Sequence, residues 1–88
     1  MATRQSVEEY IQMAEDAIKY AEEQFTEAKK QEHYNQEEYT QAQQRLEAAI
    51  TELGKLAHSG NPQQKDQIDR MRMQIQRVSN EMTIYPHH

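Results

Sequence analysis

The sequence predicts an all-α protein folded as an up-down-up three-helix bundle, and three observations lead to this prediction. Glu, Gln, Lys, Ala and Arg dominate the composition, while Gly and Pro occur only twice each, which is typical of helical chains. Apolar residues recur at alternating spacings of three and four, as they do along one face of a helix. A turn signal, HSGNP at residues 58–62, separates two of these apolar stretches.

The first helix is predicted to begin at Ser6 and to extend to about residue 33. Ser6 followed by Glu9 is a capping-box pattern, in which the serine accepts a hydrogen bond from an otherwise unpaired backbone amide. The apolar positions that follow have heptad spacing, namely Val7, Ile11, Ala14, Ile18, Ala21, Phe25 and Ala28. Alanine at every seventh position predicts close antiparallel packing against a neighbouring helix.

Residues 31–39, QEHYNQEEY, decide between a compact bundle and a rod. The apolar stripe fades where Glu32 and Asn35 occupy its positions, and it resumes at Tyr39 in the same heptad phase. The shared phase favours one helix of about 50 residues, roughly 75 Å long. A second capping pattern, Asn35 with Glu38, favours a break, and so does the recurrence of SVEEYIQ as NQEEYTQ. We predict the break, and therefore a second helix over residues 35–58.

The apolar stripe of the second helix and the turn after it complete the predicted bundle. The stripe consists of Tyr39, Ala42, Leu46, Ala49, Leu53 and Leu56. Gly60 is predicted to take the left-handed conformation that often follows a helix. Asn61 is predicted to cap a third helix over residues 62–85, with Pro62 at its first position and Gln64 completing a capping box. Its apolar face consists of Ile68, Met71, Ile75, Val78, Met82 and Tyr85.

The chain of 88 residues is thus predicted to be a single helical domain with a thin core. The alternative fold is a long helix and a shorter helix that form an antiparallel hairpin and dimerise.

Composition and charge exclude several classes of function. The chain has no cysteine, and therefore no disulfide and no thiolate metal site. No apolar run approaches the roughly 20 residues that span a bilayer, and the N-terminus lacks the apolar region of a signal peptide. Residues 1–57 carry six basic and twelve acidic side chains, which argues against nucleic acid or an anionic membrane as partner. We expect a cytoplasmic protein.

The sequence contains only a weak candidate for a metal site or an acid/base pair. His33 and Glu37 are four residues apart, with Glu32 and Glu38 adjacent, so a metal site or an acid/base pair is conceivable there. A solvated helix end is the preferred interpretation. In an up-down-up bundle, His87 and His88 would lie at the same end as His33.

The remaining polar and aromatic residues have structural interpretations. His58 suits the C-terminal end of the second helix, where a positive charge is favourable to the helix dipole. Arg70, Arg72 and Arg77 could form an anion site, but pairing with the acidic first two helices is preferred. The tyrosines are expected at the core edge with their hydroxyls in water, namely Tyr10, Tyr20, Tyr34, Tyr39 and Tyr85. Met71 and Met82 are expected in the core and Met73 partly outside it.

The segments MATRQSVEEYI, AEEQFTEAKKQEHYNQEEYTQAQQRLE and KLAHS carry a resemblance that covers nearly the whole chain. In these segments the chain resembles the YtzC-like family, short proteins of unknown function from Bacillus and related spore-forming bacteria. The resemblance implies a small cytosolic helical protein and supplies no activity, cofactor or partner.

The sequence favours a non-catalytic protein that acts in protein–protein interaction or self-association. No catalytic, cofactor-binding or metal-binding residue is assigned, and no cofactor is expected. The partner is expected to be a second copy or another protein. The alternative is a small-ligand or metal-binding regulator that uses the histidine-bearing end of the bundle.

Overall fold

The computed structural model describes residues 4–30 and 36–85, which form three α-helices. These are α1, Arg4–Lys30, α2, Gln36–Ala57, and α3, Pro62–Ile84. The longest dimension of the molecule is 45 Å. A continuous helix through residues 31–39 would need roughly 75 Å. The predicted break is therefore confirmed, and the alternative fold with one long helix is wrong.

Contacts at the two ends of the bundle give the direction of each helix. At one end, Val7 near the start of α1 and Asn61 at the start of α3 line the same surface depression. At the other end, the Phe25 ring of α1 packs edge-on against the Tyr85 ring just after α3, with centroids 5.4 Å apart. α1 and α3 are therefore parallel. The hydrogen bond from Tyr39, at the start of α2, to Met82, near the end of α3, shows that α2 runs antiparallel to both. The up-down-up order is confirmed.

The heptad positions of all three helices converge on one core. Ala14 and Ala21 of α1 and Ala42 of α2 are fully buried in this core, and such small side chains let neighbouring helices pack closely. The bulk of the core comes from larger side chains of α2 and α3, of which the fully buried ones are Leu46, Leu53, Ile68, Ile75 and Met82. Phe25, Leu56, Met71 and Tyr85 are partly buried around the cluster.

The predicted capping box at the start of the first helix is wrong. α1 begins at Arg4, so Ser6 lies within the helix and does not precede it. Gln5 donates a hydrogen bond to the Glu9 carboxylate at 3.3 Å. Arg and Gln are good helix formers, and the helix therefore includes the residues upstream of the serine. The corresponding cap predicted at Asn35, together with Glu32, lies outside the described residues.

The turn between α2 and α3 confirms one predicted cap and corrects another. The Asn61 side chain accepts a hydrogen bond from the Gln64 amide at 2.9 Å, and the Gln64 side chain accepts one from the Asn61 amide at 3.0 Å. This is the capping box predicted for the third helix, with Pro62 as its first residue.

Gly60, in contrast, does not take the left-handed conformation that was predicted. α2 ends instead in three successive short-range bonds, in which the amides of residues 58, 59 and 60 donate to carbonyls three residues earlier. Glycine is favoured here by space, because a Cβ atom at residue 60 would lie 3.2 Å from Cβ of Gln64.

Candidate interaction surface

An apolar groove of about 410 Å³ lies between α1 and α2. Its lining belongs to these two helices alone and consists of Met13, Asp16, Ala17, Arg45, Ala48, Ala49 and Glu52. We call it the α1–α2 groove. On each helix the lining residues form a second stripe beside the core stripe, again with spacings of three and four, so that the groove runs parallel to the bundle axis.

Three alanines create the groove. Ala17 and Ala49 are buried at its floor, whereas Ala48 is exposed beside them. A methyl group fills little of the space between two helices, so a larger side chain at any of these positions would reduce the groove. Met13 forms one wall, and 44% of its surface remains exposed. The groove therefore offers aliphatic surface that a further helix could cover.

Charged side chains lie at the edges of the groove. The Arg45 guanidinium stacks over the Tyr20 ring, 4.5 Å from the ring centroid. A cation–π contact at an exposed site contributes about 0.5–1 kcal/mol, enough to favour this position of the side chain. Glu52 lies 3.5 Å from the Lys55 ammonium group, and Asp16 accepts a hydrogen bond from Gln12 at 3.1 Å. Each of these two carboxylates thus contacts a side chain of its own helix.

Tyr39 has a role that the sequence did not reveal. The expectation that its hydroxyl lies in water is wrong, because the residue is only 2% exposed. The hydroxyl donates a buried hydrogen bond of 2.7 Å to the carbonyl oxygen of Met82. That carbonyl belongs to the last turn of α3, where backbone acceptors have no partner within the helix. The heptad position of Tyr39 was the signal for its burial, whereas nothing local pointed to the acceptor.

Among the described residues, Arg70 and Arg72 pair within α3 and not with the acidic helices, contrary to the preferred prediction. Arg70 pairs with Asp66 at 2.9 Å and Arg72 approaches Asp69 at 3.8 Å, both within α3. Side chains one turn apart on a helix are within reach of each other. These exposed ion pairs therefore form within α3 and do not connect it to another helix. The Arg72 guanidinium lies against α2, where Nη2 would be 3.6 Å from a Cβ atom at Gly54. Arg72 is thus turned towards α2, whereas Arg70 is largely exposed, and the two do not converge on one anion site.

The outer side of α3 carries the two most exposed large apolar side chains of the described residues. Met73 is 73% exposed and Ile84 is 79% exposed. They lie eleven residues apart, about 16 Å along the helix, and the exposed residues between them are polar. They are therefore isolated apolar points on a convex surface.

The histidine-bearing end falls mostly outside the described residues. His33, His87 and His88 lie outside them, and so do Glu32 and Tyr34. Glu37 and Glu38 are exposed in the first turn of α2, and His58 is exposed directly after the last residue of α2.

Within residues 4–30 and 36–85, no group of three or more His, Cys, Asp or Glu side chains could hold a metal ion. In the same residues, no helix is both long enough and apolar enough to cross a membrane.

Comparison with known proteins identifies the family. Residues 1–84 match the family described as "Protein of unknown function (DUF2524)". The chain belongs to this family. A relative from Bacillus subtilis (strain 168), described as "Uncharacterized protein YtzC", is 52% identical over 84 residues, which cover 96% of this chain and 93% of that protein. The resemblance seen in the sequence is therefore confirmed. No solved structure gives a significant match.

Proposed function

We propose that this member of the family is a non-catalytic protein–protein interaction module that binds a helical partner over the α1–α2 groove. The observation that carries the proposal is the alanine floor beside the exposed Met13 side chain. Small residues let the backbone of another helix approach closely, and a flexible thioether adapts to the side chains that it meets. The partner would present the apolar face of one or more amphipathic helices, which would cover the groove.

The groove is a better binding surface than the outer side of α3. The groove is concave and continuous, whereas Met73 and Ile84 project separately from a single helix. Concave apolar surface bordered by a few charges is typical of binding sites, and scattered single apolar residues are normal on any protein surface. A cross-linking probe in the groove should therefore give a different result from a probe on the outer side of α3.

Site-specific photo-cross-linking in the native cells tests the proposal with a matched pair of positions. A benzophenone side chain replaces Met13 in one version of the chain and Met73 in the other, because both are exposed methionines and only Met13 lines the groove. We expect irradiation to give a discrete protein adduct from position 13 and none from position 73. Adducts from position 73 alone, or from neither position, would refute the proposal.

A further inference from the structure

We propose that the partner that covers the α1–α2 groove is a second copy of this chain, whose α1–α2 face lies over that of the first across a two-fold axis that crosses the groove beside Ala48. This inference rests on the interaction function proposed above and adds the identity of the partner. It follows from the spacing of the charged and apolar side chains about the centre of the groove.

The charged side chains on α2 are self-complementary. Arg45 and Glu52 both line the groove and are seven residues apart, which is two helical turns or about 10 Å. Ala48 and Ala49 lie midway between them. We place a two-fold axis at this level, in the plane of the interface and perpendicular to the helices. This axis lays α2 of the second copy antiparallel over α2 of the first. Arg45 of each copy then meets Glu52 of the other, so opposite charges pair twice.

The same axis also brings side chains on α1 of the two copies into favourable positions. Tyr20 is level with Arg45, since the guanidinium lies over its ring at 4.5 Å. Because α1 and α2 are antiparallel, seven residues back along α1 and seven residues forward along α2 lead in the same direction along the bundle. Met13 therefore lies at the same height along the bundle as Glu52. The axis therefore places Met13 of each copy level with the Arg45–Tyr20 pair of the other, where a thioether at the edge of the aromatic ring would make a favourable contact.

The dimensions of the bundle suit a dimer of this kind. The molecule measures 45 Å by 19 Å in its two longest directions, so one face has an area of the order of 800 Å², which each partner contributes to a standard interface. Ala17 and Ala48 lie near the axis and permit close approach of the two copies. Such an interface uses the same surface on both copies, and the assembly therefore closes at two.

Asp16 is the lining charge that this arrangement does not pair. It lies near the axis on α1, where it faces Asp16 of the second copy. Like charges facing each other weaken association. The dimer is therefore predicted to bind more tightly when Asp16 is replaced by Asn, which keeps the shape of the side chain and removes its charge.

A charge-swap series tests the two-fold pairing by sedimentation from micromolar to millimolar protein. Arg45→Glu alone brings two glutamates together at each pair, and Glu52→Arg alone brings two arginines together. We expect each single variant to associate at least tenfold more weakly than the unaltered chain. An equimolar mixture of the two variants restores opposite charges at both contacts and should form a heterodimer. The double variant should dimerise on its own for the same reason.

Matched controls separate this pairing from effects of net charge and of folding. Arg77→Glu and Glu81→Arg make the same charge changes at exposed positions on α3 and should leave association unchanged. Far-UV circular dichroism reports the helix content of every variant. If a charge-reversed variant unfolds, the neutral variants Arg45→Gln and Glu52→Gln are used in its place. Each neutral variant should still weaken the dimer.

The outcomes distinguish this inference from the function on which it rests. A chain that stays monomeric at millimolar concentration overturns the second copy as partner, as does a dimer that both single variants leave intact. Folded single variants whose mixture stays monomeric also overturn it. If the purified chain is monomeric but position 13 still cross-links to a different protein in cells, the interaction function stands. If neither is observed, both proposals fail.

Discussion

Replacing Tyr39 by Phe removes a single oxygen atom from the core. The lost hydroxyl donates to the Met82 carbonyl at 2.7 Å, in the last turn of α3. No amide of α3 is placed to bond that carbonyl instead, because the helix ends two residues later at Ile84. Tyr39 is only 2% exposed, so water can reach the acceptor only if the helices separate locally. The Tyr39→Phe variant therefore keeps its packing and leaves one buried acceptor unpaired.

The expected loss of stability follows from that unpaired acceptor. A typical intramolecular hydrogen bond contributes about 1 kcal/mol net, and a buried group left without a partner costs about 1–3 kcal/mol. We expect the free energy of unfolding of Tyr39→Phe to fall by about 1–2 kcal/mol. For a domain of this size each kcal/mol lowers the melting temperature by roughly 4–8 °C.

Urea denaturation followed by circular dichroism measures the effect, and Tyr10→Phe provides the matched control. Tyr10 packs partly buried against the same core, and among the described residues its hydroxyl makes no hydrogen bond. Its replacement should change the free energy of unfolding by less than about 0.5 kcal/mol. Equal losses in the two variants would refute the assignment of stability to the Tyr39–Met82 hydrogen bond.

Three further substitutions probe the helices one at a time. Gly54→Ala should raise stability by about 1 kcal/mol, because glycine is a poor helix former and the new Cβ atom would meet only the Arg72 guanidinium, at 3.6 Å or more; thermal melting measures the gain. Asn61→Ala removes the side-chain oxygen that accepts the hydrogen bond of the Gln64 amide and should lower stability by about 1 kcal/mol in urea denaturation. Leu46→Ala leaves a cavity at a fully buried position and should cost about 2–5 kcal/mol by the same measurement.

Each of these three predictions has an outcome that contradicts it. A lower melting temperature for Gly54→Ala would mean that the Arg72 guanidinium cannot accommodate a methyl group. An unchanged denaturation midpoint for Asn61→Ala would show that the turn holds without its cap. A loss below about 1 kcal/mol for Leu46→Ala would show that the core collapses around the missing side chain.

The fold could be predicted because its signals are local and repeated. The described apolar heptad positions from Val7 to Met82 lie in the core or pack against it, and periodicity alone identifies such a face. The third helix was the easiest to place, since Asn61, Pro62 and Gln64 interact within one turn. Local signals failed at Ser6, where the good helix formers Arg4 and Gln5 extend the helix past the expected cap.

The features that were missed depend on contacts between helices. The acceptor of Tyr39 is 43 residues away, so no local pattern could identify it. Gly60 is favoured by the space beside Gln64, which only the folded turn defines. The α1–α2 groove is formed by Ala17, Ala48 and Ala49, which look like ordinary helix formers until two helices are placed side by side.

The two ends of the bundle are closed by contacts of very different range along the chain. At the α2–α3 turn, Asn61 and Gln64 bond across three residues, whereas the Tyr39–Met82 bond at the opposite end spans 43. Closing a short loop costs less chain entropy than closing a long one. We therefore expect the turn to form early in folding and the tyrosine bond to form late. In stopped-flow experiments Asn61→Ala should chiefly slow refolding, whereas Tyr39→Phe should chiefly speed unfolding.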